Sequence, residues 1–295
     1  MIINIKSKKY DTSEKPLIMG ILNLSADSPI RESVISADHA VERAKKLIAE
    51  GATIIDVGAD STSSKASDID FKIESELIRS VVSELDHLDV IVSIDTWKPS
   101  IAEVALKAGA SIINDVTGFR DPLMVQIAKE YSAIALAMHM RGEPKQHYEV
   151  DQNYPSIQKE VFDYLEQQNI MLNKHGVNNV WIDPGFGFGK SAKDNVALFH
   201  SIANYKKLNI PVVISASRKG FLAELIGMGN TQKGDELLEA TMLFNIFSFL
   251  IGADILRVHD VKNMHTTIET LHKLAHFEDN PNNQSDYYGA LKQLL

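Results

Sequence analysis

Short apolar runs alternate along the chain with longer segments in which apolar residues recur every three or four positions. Eight runs are almost wholly apolar, as in strands buried on both faces: Leu17–Leu22, Thr53–Val57, Val90–Ile94, Ser111–Ile113, Ile134–Met138, Val180–Ile182, Pro211–Ser215 and Asp254–Arg257. The segments with helical spacing are Ala40–Ala49, Ile73–Leu85, Ile101–Ala108, Leu123–Tyr131, Ile157–Asn173, Asn195–Ala203, Glu236–Leu250 and Met264–Leu274. Alternation of strand and helix favours parallel pairing. The pattern therefore predicts an α/β protein with a single (β/α)8 TIM barrel, with an open, doubly wound sheet as the alternative.

The two ends of the chain fall outside this alternation. Residues Ile2–Lys8 are expected to form a small hairpin with residues around Lys15, so that residues 1–16 plug the bottom of the barrel. The sequence turns polar after Leu274, which predicts a tail with a short helix over residues 275–295. We expect residues 1–295 to form one domain.

Composition narrows the class of protein. A formal net charge of −9 argues against a broad nucleic-acid surface, which needs a basic face. The chain has no cysteine, which excludes disulfides and thiolate metal sites and suits a reducing cytoplasm. No signal peptide is visible at the start, and the apolar run Met242–Ile251 is too short to span a bilayer, so we expect it to be a core-facing helix. We therefore expect a cytoplasmic protein that binds neither nucleic acid nor membrane.

Polar residues close every one of the eight predicted strands. They are Asn23, then Asp56 with Asp60 and Thr62, Asp95, Asn114 with Asp115, His139, Asp183, Ser217 with Arg218 and Lys219, and Arg257 with His259 and Asp260. A single Asp or Asn at a strand end is as readily explained by a turn. Turns alone do not explain polar residues at all eight strand ends. Chemistry in a barrel is located at the C-terminal ends of the strands, so these residues are candidates for a functional site.

The residue types divide into two groups. Asp95, Asn114 and Asp183 suit a flat heterocycle with an N–C–N edge, such as a guanine or pterin ring, since a carboxylate accepts two parallel N–H bonds. Donors form the other group, Lys219, Arg257 and His259 with Asn23, and they suit a phosphate or diphosphate. The rim therefore predicts a ring-binding half beside an anion-binding half.

Several competing motifs carry less weight. Gly187–Ala192 fits a loose dinucleotide pattern and nearly fits a P-loop, but the required acid and the first glycine are missing. Gly185 and Gly187 are better explained by a tight turn beside the ligand. A divalent ion held by the rim residues Asp56, Asp95, Asp115, His139, Asp183, His259 and Asp260 is a rival hypothesis. His139 is assigned a structural role, and His272 and His276, one helical turn apart, a solvated helix end.

The motifs resemble those of the dihydropteroate synthase family, in the family's order and over residues 17 to 275. They are Met19–Asn23, Ile54–Gly58, Ser61–Thr62, Ser93–Thr96, Ile112–Val116, Met138–Met140, Asp183–Lys190, Ser217–Lys219 and Arg257–Val261. The resemblance implies condensation of 6-hydroxymethyl-7,8-dihydropterin diphosphate with p-aminobenzoate, assisted by Mg²⁺, in a homodimer that belongs to folate biosynthesis.

The resemblance also implies roles for individual residues. Those that match the pterin-holding positions of the family are Asp95, Asn114, Asp183 and Lys219. Those that match its diphosphate-holding positions are Asn23, Arg257 and His259, with Thr62 beside them. Asn23 is also placed near the metal, and Phe188 joins the substrate-binding set. Lys219, Arg257 and His259 are the candidate catalytic residues.

Three departures from the family pattern fall on the acceptor side. Pro29 replaces a phenylalanine in a loop that also lacks an Asp-Gly-Gly element, Ser63 replaces an arginine, and Gly220 replaces a serine that helps to hold the p-aminobenzoate carboxylate. Arg31 or Lys65 is a candidate replacement for the lost cation. Three hypotheses therefore stand: a divergent synthase with weak sulfonamide sensitivity, a pterin-binding paralogue with weak, absent or altered activity, and, less favoured, a pterin-dependent methyltransferase.

Overall fold

The eight apolar runs form parallel strands close to their predicted boundaries. A computed structural model describes residues 1–24, 37–63, 66, 68–229 and 234–276. The strands are β1 Ile2–Ile5, β2 Lys8–Asp11, β3 Leu17–Asn23, β4 Ile54–Gly58, β5 Ile91–Asp95, β6 Ile112–Asp115, β7 Ile134–Met138, β8 Val180–Asp183, β9 Val213–Ile214 and β10 Ile255–Val258. The larger sheet has the order β8-β7-β6-β5-β4-β3-β10-β9, and a parallel bridge between Ile182 and Val212 joins its edges. The result is a nearly closed, TIM-barrel-like structure, which confirms the predicted fold and excludes the open sheet.

Helices surround the barrel where the apolar periodicity predicts them. They are α1 Ala37–Ala49, α2 Phe71–Asp86, α3 Pro99–Lys107, α4 Pro122–Glu130, α5 Ile157–Lys174, α6 Ala192–Phe199, α7 Ile202–Tyr205, α8 Gly220–Leu225, α9 Asp235–Ile251 and α10 Val261–Ala275. The predicted helix Asn195–Ala203 is divided into α6 and α7. The short helix α8 was not predicted, because six residues are too few to show a helical period. None of the described helices is long and apolar enough to cross a membrane.

The helix α9 departs partly from the expected core-facing role. It buries Leu237 in the main apolar core and Phe249 in a separate cluster with Ala275 of α10, whereas Leu243 is 60% exposed. Three polar residues on the same helix are fully buried: Thr241, Asn245 and Ser248. Apolar side chains therefore lie on both sides of α9, and the apolar run does not pack on the core as a whole.

The N-terminal hairpin forms, but with a different partner strand from the one predicted. The strand β1 pairs with β2, so that Ile2 lies opposite Asp11 and Ile5 opposite Lys8, rather than with residues around Lys15. The turn is tight, and Lys6 has a φ of 51°. Ile3 and Ile5 belong to the same apolar cluster as the lower ends of the barrel strands.

Alternate residues along each strand face the barrel axis, and their character changes from one end to the other. In β3, Met19 belongs to the lower apolar cluster, whereas Asn23 lines a cavity at the upper end. In β5 the change runs from Ile91 to Asp95. It runs likewise from Ile112 to Asn114, from Trp181 to Asp183, from Val213 to Ser217 and from Ile255 to Arg257. The lower half of the barrel is thus a packed apolar core, and the upper half collects the polar groups.

Candidate active site

A cavity of about 180 Å³ opens at the C-terminal ends of the strands. All nine residues proposed for substrate binding line it: Asn23, Thr62, Asp95, Asn114, Asp183, Phe188, Lys219, Arg257 and His259. They come from seven of the eight barrel strands or from the loops that follow them. The structure therefore brings the predicted set together, while the role of each residue stays a prediction.

Arg257 is the centre of the hydrogen-bond network in this cavity. Its Nε donates to Asp56 Oδ2 at 2.6 Å and its Nη2 to Asp95 Oδ2 at 2.5 Å, while Nη1 lies 3.3 Å from Ser215 Oγ. Asn114 Nδ2 donates to the same Asp56 oxygen at 3.0 Å. The two carboxylates raise the pKa of the guanidinium against the opposing effect of burial, so Arg257 is a permanent cation.

This network changes two expectations. Asp95 of the ring-binding half is paired directly with Arg257 of the anion-binding half, so the two halves are in contact before any ligand binds. Neither Asp254 nor Asp260, each three positions from Arg257 in the sequence, pairs with it. Asp254 pairs with Lys206, and Asp260 accepts two hydrogen bonds from Arg218. Asp56, which was predicted only as a polar strand-end residue and as a candidate ligand of the rival metal site, is the fully buried residue that fixes Arg257.

Lys219 and His259 supply the other cationic and donor groups. Lys219 Nζ lies 3.9 Å from the centre of the Phe188 ring, a distance typical of a cation–π contact. Ser217 Oγ accepts from the backbone N–H of His259 at 3.1 Å and lies 3.0 Å from its Nδ1. Burial and the neighbouring Arg257 lower the pKa of His259 to about 4. In a neutral imidazole whose Nδ1 accepts a hydrogen bond from the Ser217 hydroxyl, the ring proton is on Nε2. The Nε2–H group of His259 can then donate to a ligand oxygen.

The turn after β8 holds Asp183 and Phe188 in place. The backbone N–H of Gly185 donates to Asp183 Oδ1 at 2.7 Å. Gly185 has a φ of 72°, and a Cβ there would lie 2.1 Å from the carbonyl oxygen of His139, so no other residue fits without a shift. Lys190 Nζ donates to the carbonyl oxygens of Gly185, His139 and Phe188 at 2.7–3.2 Å. The lysine of the P-loop-like segment is therefore occupied in holding the turn.

The loop after β4 forms another wall, through Asp60, Ser61 and Thr62. The buried Asp60 carboxylate pairs with Lys98 at 2.7 Å and with Lys145 at 2.9 Å. The backbone N–H of Lys145 also donates to the carbonyl oxygen of Thr62 at 3.2 Å. Lys145 comes from the loop after β7, so a lysine from another loop supplies a cation beside this wall.

Several residues of the predicted acceptor side lie outside the described residues. They are Pro29, Arg31 and Lys65. Ser63 is described, and its backbone N–H donates to Ser61 Oγ at 3.2 Å. Gly220 is the first residue of α8, directly after Lys219.

Two of the seven residues in the rival metal hypothesis, His139 and Asp115, make contacts within the protein. His139 is 3% exposed, packs edge-on against Tyr164 with ring centres 5.1 Å apart and does not line the cavity. Burial lowers its pKa to about 2. Its Nδ1 has no hydrogen-bond partner among the described residues. The contacts of His139 therefore fit a role in packing. Both carboxylate oxygens of Asp115 accept backbone hydrogen bonds, Oδ1 from Thr117 and Oδ2 from Phe119.

His147, from the loop after β7, is a buried residue beside the cavity wall that was not predicted from the sequence. It is 1% exposed, both ring nitrogens lack a hydrogen-bond partner among the described residues, and its ring centre lies 5.7 Å from that of Phe188. Burial and the nearby Lys219 and Lys190 lower its pKa to about 4. No pattern in the sequence signals this position, because its burial depends on how the loop folds over Phe188.

We expect Lys219 to make the site sensitive to alkaline pH. Burial and the neighbouring Arg257 lower its pKa to about 8. Lys219 carries its charge below that pH and loses it above, so kcat/KM for a diphosphate substrate should fall as pH rises through about 8. A Lys219→Arg variant, whose side chain stays charged, should lose this alkaline limb even if its activity is lower throughout. An alkaline limb that persists unchanged in Lys219→Arg would assign the titration to another group.

The comparisons with known proteins agree with this geometry. A family model described as pterin binding enzyme matches residues 19–259 and defines the class. The dihydropteroate synthase of Streptococcus pyogenes serotype M6 is 35% identical over 275 residues, which cover 92% of this chain and 100% of that protein. The chain belongs to the dihydropteroate synthase family.

Solved structures show the same likeness. A dihydropteroate synthase from Thermus thermophilus in complex with 4-aminobenzoate superposes with a TM-score of 0.80 at 33% identity, over 93% of this chain and all of that one. A second structure of the Thermus protein is in complex with 6HMPPP, with a TM-score of 0.79 and 32% identity over 93% of this chain and 99% of that one. The Yersinia pestis enzyme in a sulfonamide drug complex gives a TM-score of 0.84 at 26% identity, over 93% and 99% of the two chains.

Proposed function

We propose that this protein is a dihydropteroate synthase that condenses 6-hydroxymethyl-7,8-dihydropterin diphosphate with p-aminobenzoate and releases diphosphate. The observation that carries the proposal is the convergence of Asp95, Asn114 and Asp183 with Lys219, Arg257 and His259 in one cavity of a chain of this family. A methyl-transfer reaction is less favoured, because a methyl donor has no diphosphate for these cations to hold.

The ring and the diphosphate are assigned to opposite parts of the cavity. Asp183 and Asn114 would hold the pterin from the β8 and β6 ends, and Asp95 would accept from its N–C–N edge. Arg257, Lys219 and the Nε2–H of His259 would hold the diphosphate. Asp56 would stay paired with Arg257 when Asp95 turns to the ring, so the guanidinium keeps one buried partner throughout.

The reaction follows from this arrangement. The C–O bond between the pterin methylene and the diphosphate breaks, and its electron pair leaves with the diphosphate. Cations already in place at the departing oxygens stabilise the growing charge without a reorganisation cost. The positive charge left on the methylene is shared with the pterin ring. The p-aminobenzoate nitrogen then forms the new C–N bond and loses a proton, so the protein needs no nucleophile of its own.

Mg²⁺ is the proposed cofactor, and the cavity offers one protein ligand for it. The amide of Asn23 opens onto the cavity and has no hydrogen-bond partner among the described residues, which leaves an oxygen for a hard cation. Mg²⁺ usually takes one or two protein ligands together with substrate phosphates. When bound it would add positive charge to the diphosphate. We expect Mg²⁺ to strengthen binding of the diphosphate ester and to leave binding of the plain pterin unchanged.

The acceptor should bind weakly. The resemblance implies that Pro29, Ser63 and Gly220 replace groups that pack on the aryl ring, hold a loop near the diphosphate and bind the carboxylate. Each polar contact contributes about 1 kcal/mol, so losing three predicts roughly tens- to hundreds-fold weaker acceptor binding. Steady-state formation of dihydropteroate should therefore show weak saturation by p-aminobenzoate and weak inhibition by sulfonamides.

A gain-of-function variant sharpens this prediction. Gly220 does not have a positive φ, so its backbone conformation permits a side chain. Gly220→Ser should lower the KM for p-aminobenzoate by roughly fivefold, the equivalent of one hydrogen bond. Gly220→Ala is the matched control, because it adds the Cβ without the hydroxyl. A micromolar KM and ordinary sulfonamide sensitivity in the natural chain would show that the substitutions are compensated.

A pterin-binding paralogue with weak, absent or altered activity is the second candidate function, because all three departures affect the acceptor. No turnover, together with tight binding of the pterin diphosphate, would favour it over the synthase. The homodimer, the cytoplasmic location and the assignment of residues 1–295 to one domain also stay predictions. The exposed Leu243 on α9 is consistent with an interface at that helix.

A further inference from the structure

A cluster of potential metal ligands lies on the face of the barrel opposite the cavity. Glu14, in the segment between β2 and β3, comes close to His272 in the last turn of α10 and to His276, which caps that helix. One ligand atom from each residue lies within 4.8 Å of the other two. Among the described residues this is the one group of three such side chains that converges in this way.

We propose that Glu14, His272 and His276 form a binding site for a divalent transition-metal ion, with Zn²⁺ as the best-fitting ion. Two imidazoles and a carboxylate, with water completing a tetrahedron, are ligands that Zn²⁺ accepts. Mg²⁺ and Ca²⁺ prefer oxygen ligands throughout and fit this set poorly.

The helix α10 places two of the three ligands, His272 and His276, next to each other. Residues four apart lie on the same face, and the backbone N–H of His276 donates to the carbonyl oxygen of His272 at 3.1 Å. The two ring centres are consequently 4.5 Å apart. Ligand atoms around a tetrahedral Zn²⁺ lie roughly 3.3 Å from one another, given bonds of about 2.0–2.1 Å. The distances between the three ligand atoms therefore need to shorten by about an ångström or somewhat more. Rotations of the Glu14 and His276 side chains can provide this, since both are about half exposed.

The neighbouring contacts leave the three side chains able to bind a metal ion. Lys15, next to Glu14 in the chain, pairs with Glu269 at 2.8 Å, and so it does not neutralise Glu14. His276 Nε2 already lies 3.9 Å from Glu14 Oε2. The Nδ1 atom of His272 is buried and has no hydrogen-bond partner among the described residues.

Such an ion would join the N-terminal segment to the last barrel helix. These two parts of the chain are far apart in sequence, so an ion bound only in the folded state would stabilise their association. The cluster lies below the N-terminal end of β3, whereas the cavity is at the opposite end of the strands. Occupancy should therefore raise thermal stability and leave kcat unchanged.

The test is a titration of the untagged, metal-free full chain with ZnCl₂, followed by calorimetry and by the melting temperature. We expect one ion per chain and a rise in Tm of about 5 °C at a hundredfold excess over Kd. His276→Ala and Glu14→Gln should each weaken binding by ~10-fold or more and reduce the rise in Tm. Both positions are exposed enough for these variants to fold. His87→Ala is the matched control, since His87 is an exposed histidine that caps the C-terminus of α2.

Equal Zn²⁺ affinity in the natural chain, His276→Ala and Glu14→Gln would overturn the proposal, and so would the absence of binding or of a Tm shift. A loss of affinity in His87→Ala equal to that in His276→Ala would also overturn it.

Discussion

Arg257→Ala should lower the affinity for the pterin diphosphate far more than the affinity for the plain pterin, and should also destabilise the fold. The guanidinium is the cation that the diphosphate would meet, and it is held by Asp56 and Asp95. Its removal leaves two carboxylates at the barrel centre without their shared cation, and breaking a buried pair in this way costs about 3–5 kcal/mol of unfolding free energy. The loss of a charged contact with the ligand adds about 1.5–3 kcal/mol to the weakening of diphosphate binding.

Two measurements separate these effects. Denaturant unfolding gives the change in stability, and calorimetry with the plain and the diphosphorylated pterin gives the change in affinity. Arg218→Ala is the matched control, because Arg218 pairs with Asp260 next to the cavity without lining it. Equal losses for both ligands would assign Arg257 a structural role alone.

Asp183→Ala should weaken pterin binding by ~10- to 150-fold, the equivalent of a lost charged hydrogen bond of about 1.5–3 kcal/mol. The carboxylate is 3% exposed, and burial raises its pKa, so ring N–H groups are the partners that would compensate its charge. The competing interpretation is that Asp183 only caps the turn at Gly185.

Asp183→Asn distinguishes the two interpretations. The asparagine carbonyl oxygen can still accept from the backbone N–H of Gly185, so a purely structural role predicts unchanged binding and stability. A role in ring recognition predicts a loss of pterin affinity with an intact melting temperature. Calorimetry with a non-reactive pterin measures this affinity. Unchanged affinity in both Asp183→Ala and Asp183→Asn would exclude the recognition role.

The barrel was predictable because its signals are local. Strands buried on both faces must be apolar throughout, and the helices between them must carry an apolar stripe, so both periods are visible in short windows. The polar strand ends were visible for the same reason. Given a parallel barrel, residues such as Asn23 and Asp183, far apart in sequence, must meet at one rim.

Features that depend on pairing between distant residues were not predictable. Asp56 and Arg257 are separated by 201 positions, and no local pattern distinguishes their ion pair from one with Asp254 or Asp260. The partner strand of the N-terminal hairpin was misplaced because Lys8–Asp11 is polar and carries little strand signal. His147 was missed because a loop, rather than a periodic element, buries it.

The most direct test of the central claim is to measure diphosphate and dihydropteroate together, using the full chain with 6-hydroxymethyl-7,8-dihydropterin diphosphate and Mg²⁺, with and without p-aminobenzoate. The proposed function predicts that both products form in equal amounts when p-aminobenzoate is present at high concentration. It also predicts that Lys219→Met abolishes both, whereas Lys193→Met, at an exposed lysine outside the cavity, abolishes neither. Diphosphate release without dihydropteroate, or no release although the pterin diphosphate binds, would contradict the claim that this cavity catalyses the condensation.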